Sequence, residues 1–317
     1  MSKVAVVGAG AWGTALALQA LRAGCDVSLW ARDPVPLRAT RRSPHLPGVP
    51  LPDAIALPDA LPGAGCDAIL LAVPVQHLRA VAARLRPQAP LVACCKGIEA
   101  GTGLLPLELL ARLHPACPGA VLTGPNFAHE VAAGLPAAAV LACADAATRA
   151  DLAAMLASPA FRIYSGDDPL GAGLGGAAKN VIAIAAGAVM GAGLGENARA
   201  ALITRGLAEL SRLVVAGGGR AETVAGLSGL GDLLLTCTGG ASRNYTLGLA
   251  LGRGESLPAI LARRTGVTEG VATAPALLAR APNLDLPITA AVTALLSGAT
   301  TLEAAITTLL SRPRRDE

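Results

Sequence analysis

Apolar positions along the chain fall into two regimes, and the change between them divides the molecule. In the first regime, short apolar runs are separated by glycine, proline and polar clusters. Lys3-Val4-Ala5-Val6-Val7 reads as a β run, ended by Gly8-Ala9-Gly10-Ala11-Trp12-Gly13 and followed by a helical stretch from Thr14 to Arg22 that Gly24 closes. A second β run, Asp26 to Trp30, completes a β-α-β start. Further strand candidates are Ala68 to Ala72, Leu91 to Cys95, Val121 to Thr123, Ala137 to Leu141 and Phe161 to Tyr164. Pro74, Gly97 and Gly124-Pro125 punctuate the ends of the first three. In an open parallel sheet, ligands bind beyond the carboxyl ends of the strands, so Pro74, Lys96 and Gly124 to Asn126 are predicted to converge on one crevice.

From about Gly171 the pattern turns to long Ala- and Leu-rich stretches with helical spacing: Asn180 to Met190, Ala198 to Val215, Tyr245 to Leu251, Ala272 to Arg280 and Thr301 to Leu310. The expected fold is α/β, with a Rossmann-type dinucleotide-binding domain over residues 1–170 and an all-α domain over 171–317. The turn signal Asp167-Asp168-Pro169 sets the boundary. No internal repeat is evident. The most apolar stretch, Val181 to Leu194, is interrupted by Gly187, Gly191 and Gly193 and falls short of the roughly 20 apolar residues a bilayer span requires. It reads as a buried helix, and no membrane span is expected.

Composition narrows the function classes. A chain of 317 residues, 53% hydrophobic and 15% charged, can bury the core of two domains. Aromatics make up only 2%, so the core is built from Ala, Leu, Val and Ile and lacks stacking platforms for single-stranded nucleic acid. The net charge of +4 is spread thinly apart from Arg41/Arg42, Arg263/Arg264 and Arg312, Arg314 and Arg315, which is not a nucleic-acid footprint but suits a small anionic substrate. The chain enters its first β run without a signal-peptide pattern, so a cytoplasmic location is expected. Seven cysteines contain no Cys-x-x-Cys pair and the four histidines are scattered, so no metal site is expected and the thiols read as small core hydrophobes.

The candidate chemistry lies in two places. The first is the turn after the first strand, with Gly8, Gly10 and Gly13 at the first, third and sixth positions. Gly8 permits the tight turn, Gly10 lets a pyrophosphate approach the backbone, and Gly13 lets helix and strand pack closely. Placed between a strand and a helix, this spacing predicts a dinucleotide site. At the end of the second strand, Leu29-Trp30-Ala31-Arg32-Asp33 offers Arg32 for the 2′-phosphate of NADP and Asp33, one position on, for the ribose hydroxyl of NAD. NADP is favoured, with use of NAD open.

The second place is marked by lysine. Among 26 basic residues only three are lysines, and Lys96 and Lys179 sit in the segments CCKGIEAGTG and GGAAKNVIAIAAG. An arginine stays protonated in any protein environment, whereas a buried ammonium can have its pKa pulled down far enough to exchange a proton. Lys179 is therefore the candidate catalytic amine.

Eight segments in order resemble the bacterial NAD(P)-dependent glycerol-3-phosphate dehydrogenases: GAGAWGTALA (8–17), CKGIE (95–99), GPNFAHE (124–130), LGGAAKNVIAIAAG (174–187), NARAALITRGLAE (197–209), GLSGLGDLLLTCTG (226–239), SRN (242–244) and VTEGV (267–271). The resemblance implies interconversion of dihydroxyacetone phosphate and sn-glycerol 3-phosphate, supplying glycerophospholipid synthesis. It implies that Lys179 is the proton acceptor and that Lys96, Gly124, Asp232, Ser242, Arg243 and Asn244 touch the substrate. Trp12, Arg32, Lys96, Ala128, Arg243, Val267 and Glu269 are the implied cofactor contacts. Asn126, where Ser or Thr is more usual, and Thr268, in place of an aliphatic residue, depart from the pattern.

The residues suit these roles. Burial beside Val181 and Ile182, with Lys96 as a neighbouring like charge, would lower the Lys179 pKa, and Asp232 would oppose that shift while orienting the amine. Ser242-Arg243-Asn244 offers a hydroxyl, a guanidinium fork and an amide for a phosphate. Two alternatives stay open at this point: a β-hydroxyacid-type dehydrogenase of similar architecture, and a non-catalytic NADP(H)-binding sensor. Excess apolar composition in the helical half hints at a homodimer.

Overall fold

A computed structural model describes residues 1–264 and 266–312; Arg314 and Arg315 of the basic tail lie outside the described residues. Residues alternating along each strand go to opposite faces of a sheet, and here both faces are covered. Val4 and Val6 join one apolar layer with Leu29, Leu70 and Leu122, while Ala5 and Val7 join the other with Ile69, Leu71 and Val121. Strands buried on both sides need no polar alternation, which is why these runs are continuously apolar.

The eight strands are β1 (Lys3–Val7), β2 (Asp26–Trp30), β3 (Ile55–Ala56), β4 (Ala68–Leu71), β5 (Leu91–Ala93), β6 (Gly119–Thr123), β7 (Ala137–Ala142) and β8 (Phe161–Gly166). They form one sheet in the order β3-β2-β1-β4-β5-β6-β7-β8. The chain leaves β1 toward β2 and β3, then returns to place β4 on the other side of β1. The strand order therefore reverses between β1 and β4, and the loops that follow them flank the crevice where such sheets bind ligands. Val7 pairs with both Trp30 and Leu71, so the carboxyl ends of these three strands lie level.

Two features of the sheet depart from the sequence reading. The short edge strand β3 is missed, because two residues carry no periodicity. β7 runs antiparallel to β6 in what was expected to be a parallel sheet, since burial on both faces leaves no mark of strand direction. The reversal brings the start of β7 to the carboxyl end of β6, where Asn126 Nδ2 donates to the Ala138 carbonyl at 3.1 Å.

The helical half is built around one helix, Pro169–Gly191. Pro169 occupies its first turn, where a missing N–H is harmless, and the Asp168 carboxylate accepts from Gly171 N at 2.8 Å as the N-cap. By length and composition this 23-residue helix could cross a bilayer, but 89% of its most apolar window is buried inside the protein. It begins well before the Asn180 expected from sequence, because glycines 171, 173, 175 and 176 mask the helical periodicity.

Gly187 and Gly191, read from sequence as interruptions, are instead the contact surface. They face Gly248 and Gly252 of helix Arg243–Gly252. A Cβ on Gly187 would run into the Tyr245 carbonyl, one on Gly191 into that of Leu249, one on Gly248 into that of Ile184 and one on Gly252 into that of Ala188. Small residues four apart on both helices let the two backbones touch, and a side chain on either would push them apart. Gly248→Ala should therefore destabilise the protein by about 1–3 kcal/mol through overpacking, measured as a lower urea midpoint with an unchanged slope.

Candidate active site

The fingerprint loop places its glycines as their spacing requires. Gly8 has φ +111, and a Cβ there would lie 2.9 Å from both the Ala72 carbonyl oxygen and Val73 Cγ1. Around Gly10 a Cβ would meet nothing within 4 Å, whereas one on Gly13 would collide with the Gly8 carbonyl. Gly10 is also the N-cap of helix Ala11–Arg22 and supplies no side-chain cap, so the N–H groups of the first turn are left for a ligand. Open space before an uncapped helix N-terminus fits a pyrophosphate. Trp12, in that first turn, donates from Nε1 to the Cys94 carbonyl at 3.1 Å and so ties the fingerprint to the loop that carries Lys96.

Lys179 projects from the middle of the central helix and is 7% exposed. Its Nζ donates to Asp232 Oδ1 and, at 2.9 Å, to Thr236 Oγ1. Lys96 approaches from the loop after β5, donating to Asp232 Oδ2 at 2.7 Å and to the Gly124 carbonyl at 2.9 Å. One buried carboxylate, 1% exposed, thus sits between two ammonium groups. Burial pushes the Lys179 pKa down, Asp232 pulls it back up, and the like charge of Lys96 lowers it again, leaving it at about 7.

Asp232 reaches this position through an irregular element. The segment Leu227–Gly231 forms a single π turn immediately before helix Asp232–Thr238, a feature that often re-aims side chains at functional sites. Thr236, one helical turn after Asp232, lies on the same face. Sequence reasoning missed it, although the four-residue spacing was the signal.

A chain of amides joins the remaining elements. Asn180 donates to the Lys96 carbonyl at 3.3 Å and accepts from Asn244 Nδ2 at 2.8 Å, while Asn244 Oδ1 accepts from Gly270 N at 3.0 Å. Ser242 is buried and its Oγ accepts from Tyr245 N at 3.2 Å, capping helix Arg243–Gly252. Arg243 is exposed at the start of that helix. Glu269 opens helix Glu269–Arg280, and its Oε1 accepts from Val75 N at 3.1 Å, bridging to the loop after β4. Burial pushes its carboxyl above the usual carboxylate range.

Lys179, Asp232, Lys96 and Gly124 are thus brought into direct contact, and Asn244 and Glu269 border them. Ala128, the first residue of helix Ala128–Ala133, and the exposed Val267 and Arg32 make no hydrogen bond to this centre. Several buried oxygens, on Thr123, Asn126, Thr268, Glu269 (Oε2) and Thr273, have no partner among the described residues. Buried polar atoms of this kind are ordinarily satisfied. No group of metal-ligating side chains occurs among the described residues.

Comparison with known proteins decides the family. The profiles of the NAD-dependent glycerol-3-phosphate dehydrogenase N-terminus and C-terminus match residues 3–149 and 168–307. The chain belongs to this family. It is 55% identical over 316 residues to the glycerol-3-phosphate dehydrogenase [NAD(P)+] of Gluconobacter oxydans, covering 98% of this chain and 97% of that one. It is 58% identical over 320 residues to that of Acidiphilium cryptum, covering 99% and 98%. The crystal structure of glycerol-3-phosphate dehydrogenase from Coxiella burnetii superposes with a TM-score of 0.93 at 37% identity, covering 98% of this chain and 99% of that one. Family membership over the whole chain favours neither the β-hydroxyacid-type enzyme nor the sensor. Lys179 in this glycerol-3-phosphate dehydrogenase family member should titrate near pH 7, and Asp232→Asn should move its midpoint lower by removing the raising charge. With only three lysines in the chain, NMR of lysine-selectively labelled protein reads both midpoints directly.

Proposed function

We propose that the chain interconverts dihydroxyacetone phosphate and sn-glycerol 3-phosphate with NAD(P)H, and that Lys179 moves the proton. The observation that carries this reading is a buried amine held against Asp232 and Thr236 at the crevice, with its pKa pushed down by burial to about 7. Bound nicotinamide cofactor supplies or accepts the hydride. Removing a hydride from a secondary alcohol requires loss of the hydroxyl proton, and a neutral Lys179 is the group placed to take it. In the reverse direction its ammonium protonates the carbonyl oxygen as that oxygen gains charge. Asp232 orients the amine, and Lys96 supplies a second positive charge toward the developing alkoxide.

For the substrate phosphate we assign Arg243 with Ser242 and Asn244. A guanidinium fork at an exposed helix start, with a hydroxyl and an amide beside it, matches the oxygens of a phosphate monoester. Gly124, whose carbonyl holds Lys96, belongs to the same substrate subsite. Trp12, Ala128, Val267 and Glu269 complete the cofactor set in this reading. The seven cysteines carry free thiols, which suits the reducing cytoplasm. Pairing of two copies through the helical domain is part of the proposal, on the ground of that domain's apolar composition.

For cofactor choice we favour NADPH. Asp33 Oδ1 accepts from Val35 N at 3.2 Å and is tied into its own turn, while the exposed Arg32 has no ion pair among the described residues. A 2′-phosphate would supply one. Arg32→Ala should raise the KM for NADPH about tenfold or more, the loss of a charged hydrogen bond, and leave that for NADH nearly unchanged.

The decisive assay follows NADPH or NADH absorbance on addition of dihydroxyacetone phosphate. Lys179→Ala should lower kcat by about a thousandfold, and wild-type-like turnover in that variant would sink the assignment. The sign of the pH dependence follows from the amine. Alcohol oxidation needs neutral Lys179 and should fall as pH drops below about 7, whereas ketone reduction needs the ammonium and should fall as pH rises above it.

A further inference from the structure

Lys179 and Asp232 lie 53 residues apart on different elements, and their contact needs the two elements fixed to one another. Asp168 joins them at a distance from the chemistry. It is 8% exposed, and as N-cap of the central helix its Oδ1 accepts from Gly171 N at 2.8 Å. Its Oδ2 accepts from Arg220 N at 2.8 Å and from Thr223 Oγ1 at 2.7 Å. Those last two donors belong to the segment that runs through helix Ala221–Ala225 into the π turn and Asp232. The Thr223 carbonyl in turn accepts from Gly226 N at 3.3 Å and Ser228 Oγ at 3.4 Å. A Cβ on Gly175 would lie 2.6 Å from the Ser228 carbonyl oxygen, so the π turn rests directly on the central helix.

We propose that Asp168 is a positioning residue: through Thr223 it sets where the π turn sits on the central helix, and so how closely Asp232 meets Lys179. Lys179 stands about 16 Å further along the same helix, so Asp168 acts through Thr223 and the π turn and touches no reacting atom. A carboxylate with three donors on two segments cannot shift toward one without releasing the other. Burial alone would raise the Asp168 pKa, but the N–H groups of Arg220 and Gly171 and the Thr223 hydroxyl hold it below the usual carboxylate range. The ionised carboxylate thus persists through neutral pH. The charged and titratable groups near it are Arg220 and, around that guanidinium, Asp167 and Glu222. Those near Lys179 are Asp232, Lys96 and the Cys237 thiol, with Arg199 beyond it.

The proposal rests on Lys179 being the proton acceptor, and its test separates the two. Lysine-labelled protein is titrated by NMR for the wild type, Thr223→Val, Thr223→Ser and Asp168→Asn. Loss of the grip on Thr223 lets Asp232 withdraw, so the Lys179 midpoint should fall by about half a unit in Thr223→Val. kcat for alcohol oxidation should drop roughly tenfold with cofactor KM unchanged. Thr223→Ser, which keeps the hydroxyl, should restore the wild-type midpoint, and Asp168→Asn should exceed Thr223→Val. An unchanged midpoint in folded Thr223→Val would reduce Asp168 to a helix cap and overturn the proposal, whether or not Asp168→Asn folds. Full turnover by Lys179→Ala would instead overturn the proton-acceptor reading and leave the measured midpoints to decide the positioning.

Discussion

One buried carboxylate between two ammonium groups organises this molecule. Asp232 accepts from Lys179 on one oxygen and from Lys96 on the other. Removed from water, each of these charges would be costly by itself, and each is tolerable only because the others are within hydrogen-bond distance. The arrangement holds one more positive than negative charge. Burial lowers the Lys179 pKa, Asp232 raises it and Lys96 lowers it again, which leaves the amine exchanging its proton near neutrality.

The scaffold serves this group from both halves. β5 and β6 deliver Lys96 and the Gly124 carbonyl, the central helix delivers Lys179, and the π turn delivers Asp232. Close helix packing around the glycine crossing makes room for the central helix to be buried nearly all round while still presenting a lysine inward. Further bonds tie the two halves at their rim. Glu269 holds Val75 N, and Arg280 donates to both oxygens of Glu108 and to the Gly103 carbonyl. On the sheet side, Gln76 bonds both Ile98 O and Ala100 N, which fixes the loop just beyond Lys96.

Much of this was legible in the chain. The fingerprint glycines announced a crevice because tight turn, open approach and close packing each demand a residue without a side chain. Lys179 stood out because an arginine-rich sequence kept a lysine in an apolar stretch. Gly124 and Lys96 were placed in one crevice because parallel strands deliver their carboxyl ends to the same edge. Strand directions, in contrast, were not legible, since a doubly buried strand looks the same in either sense. The central helix was read too short, because its glycines contribute to packing through their backbone and leave no apolar stripe.

The sequence by itself determined most of the elements and the residue types able to bind a dinucleotide and move a proton. These follow from local periodicity, turn chemistry and side-chain acidity, all of which are properties of short segments. Tertiary structure decided which of those residues meet. Thr236 joins Lys179 only across a helix pair, Asn180 and Asn244 pair across 64 residues, and Ser242 turns out to cap a helix with the same hydroxyl that was offered to a phosphate. It also decided the state of the amine, because desolvation and the balance of two lysines against one carboxylate exist only once distant segments close around them.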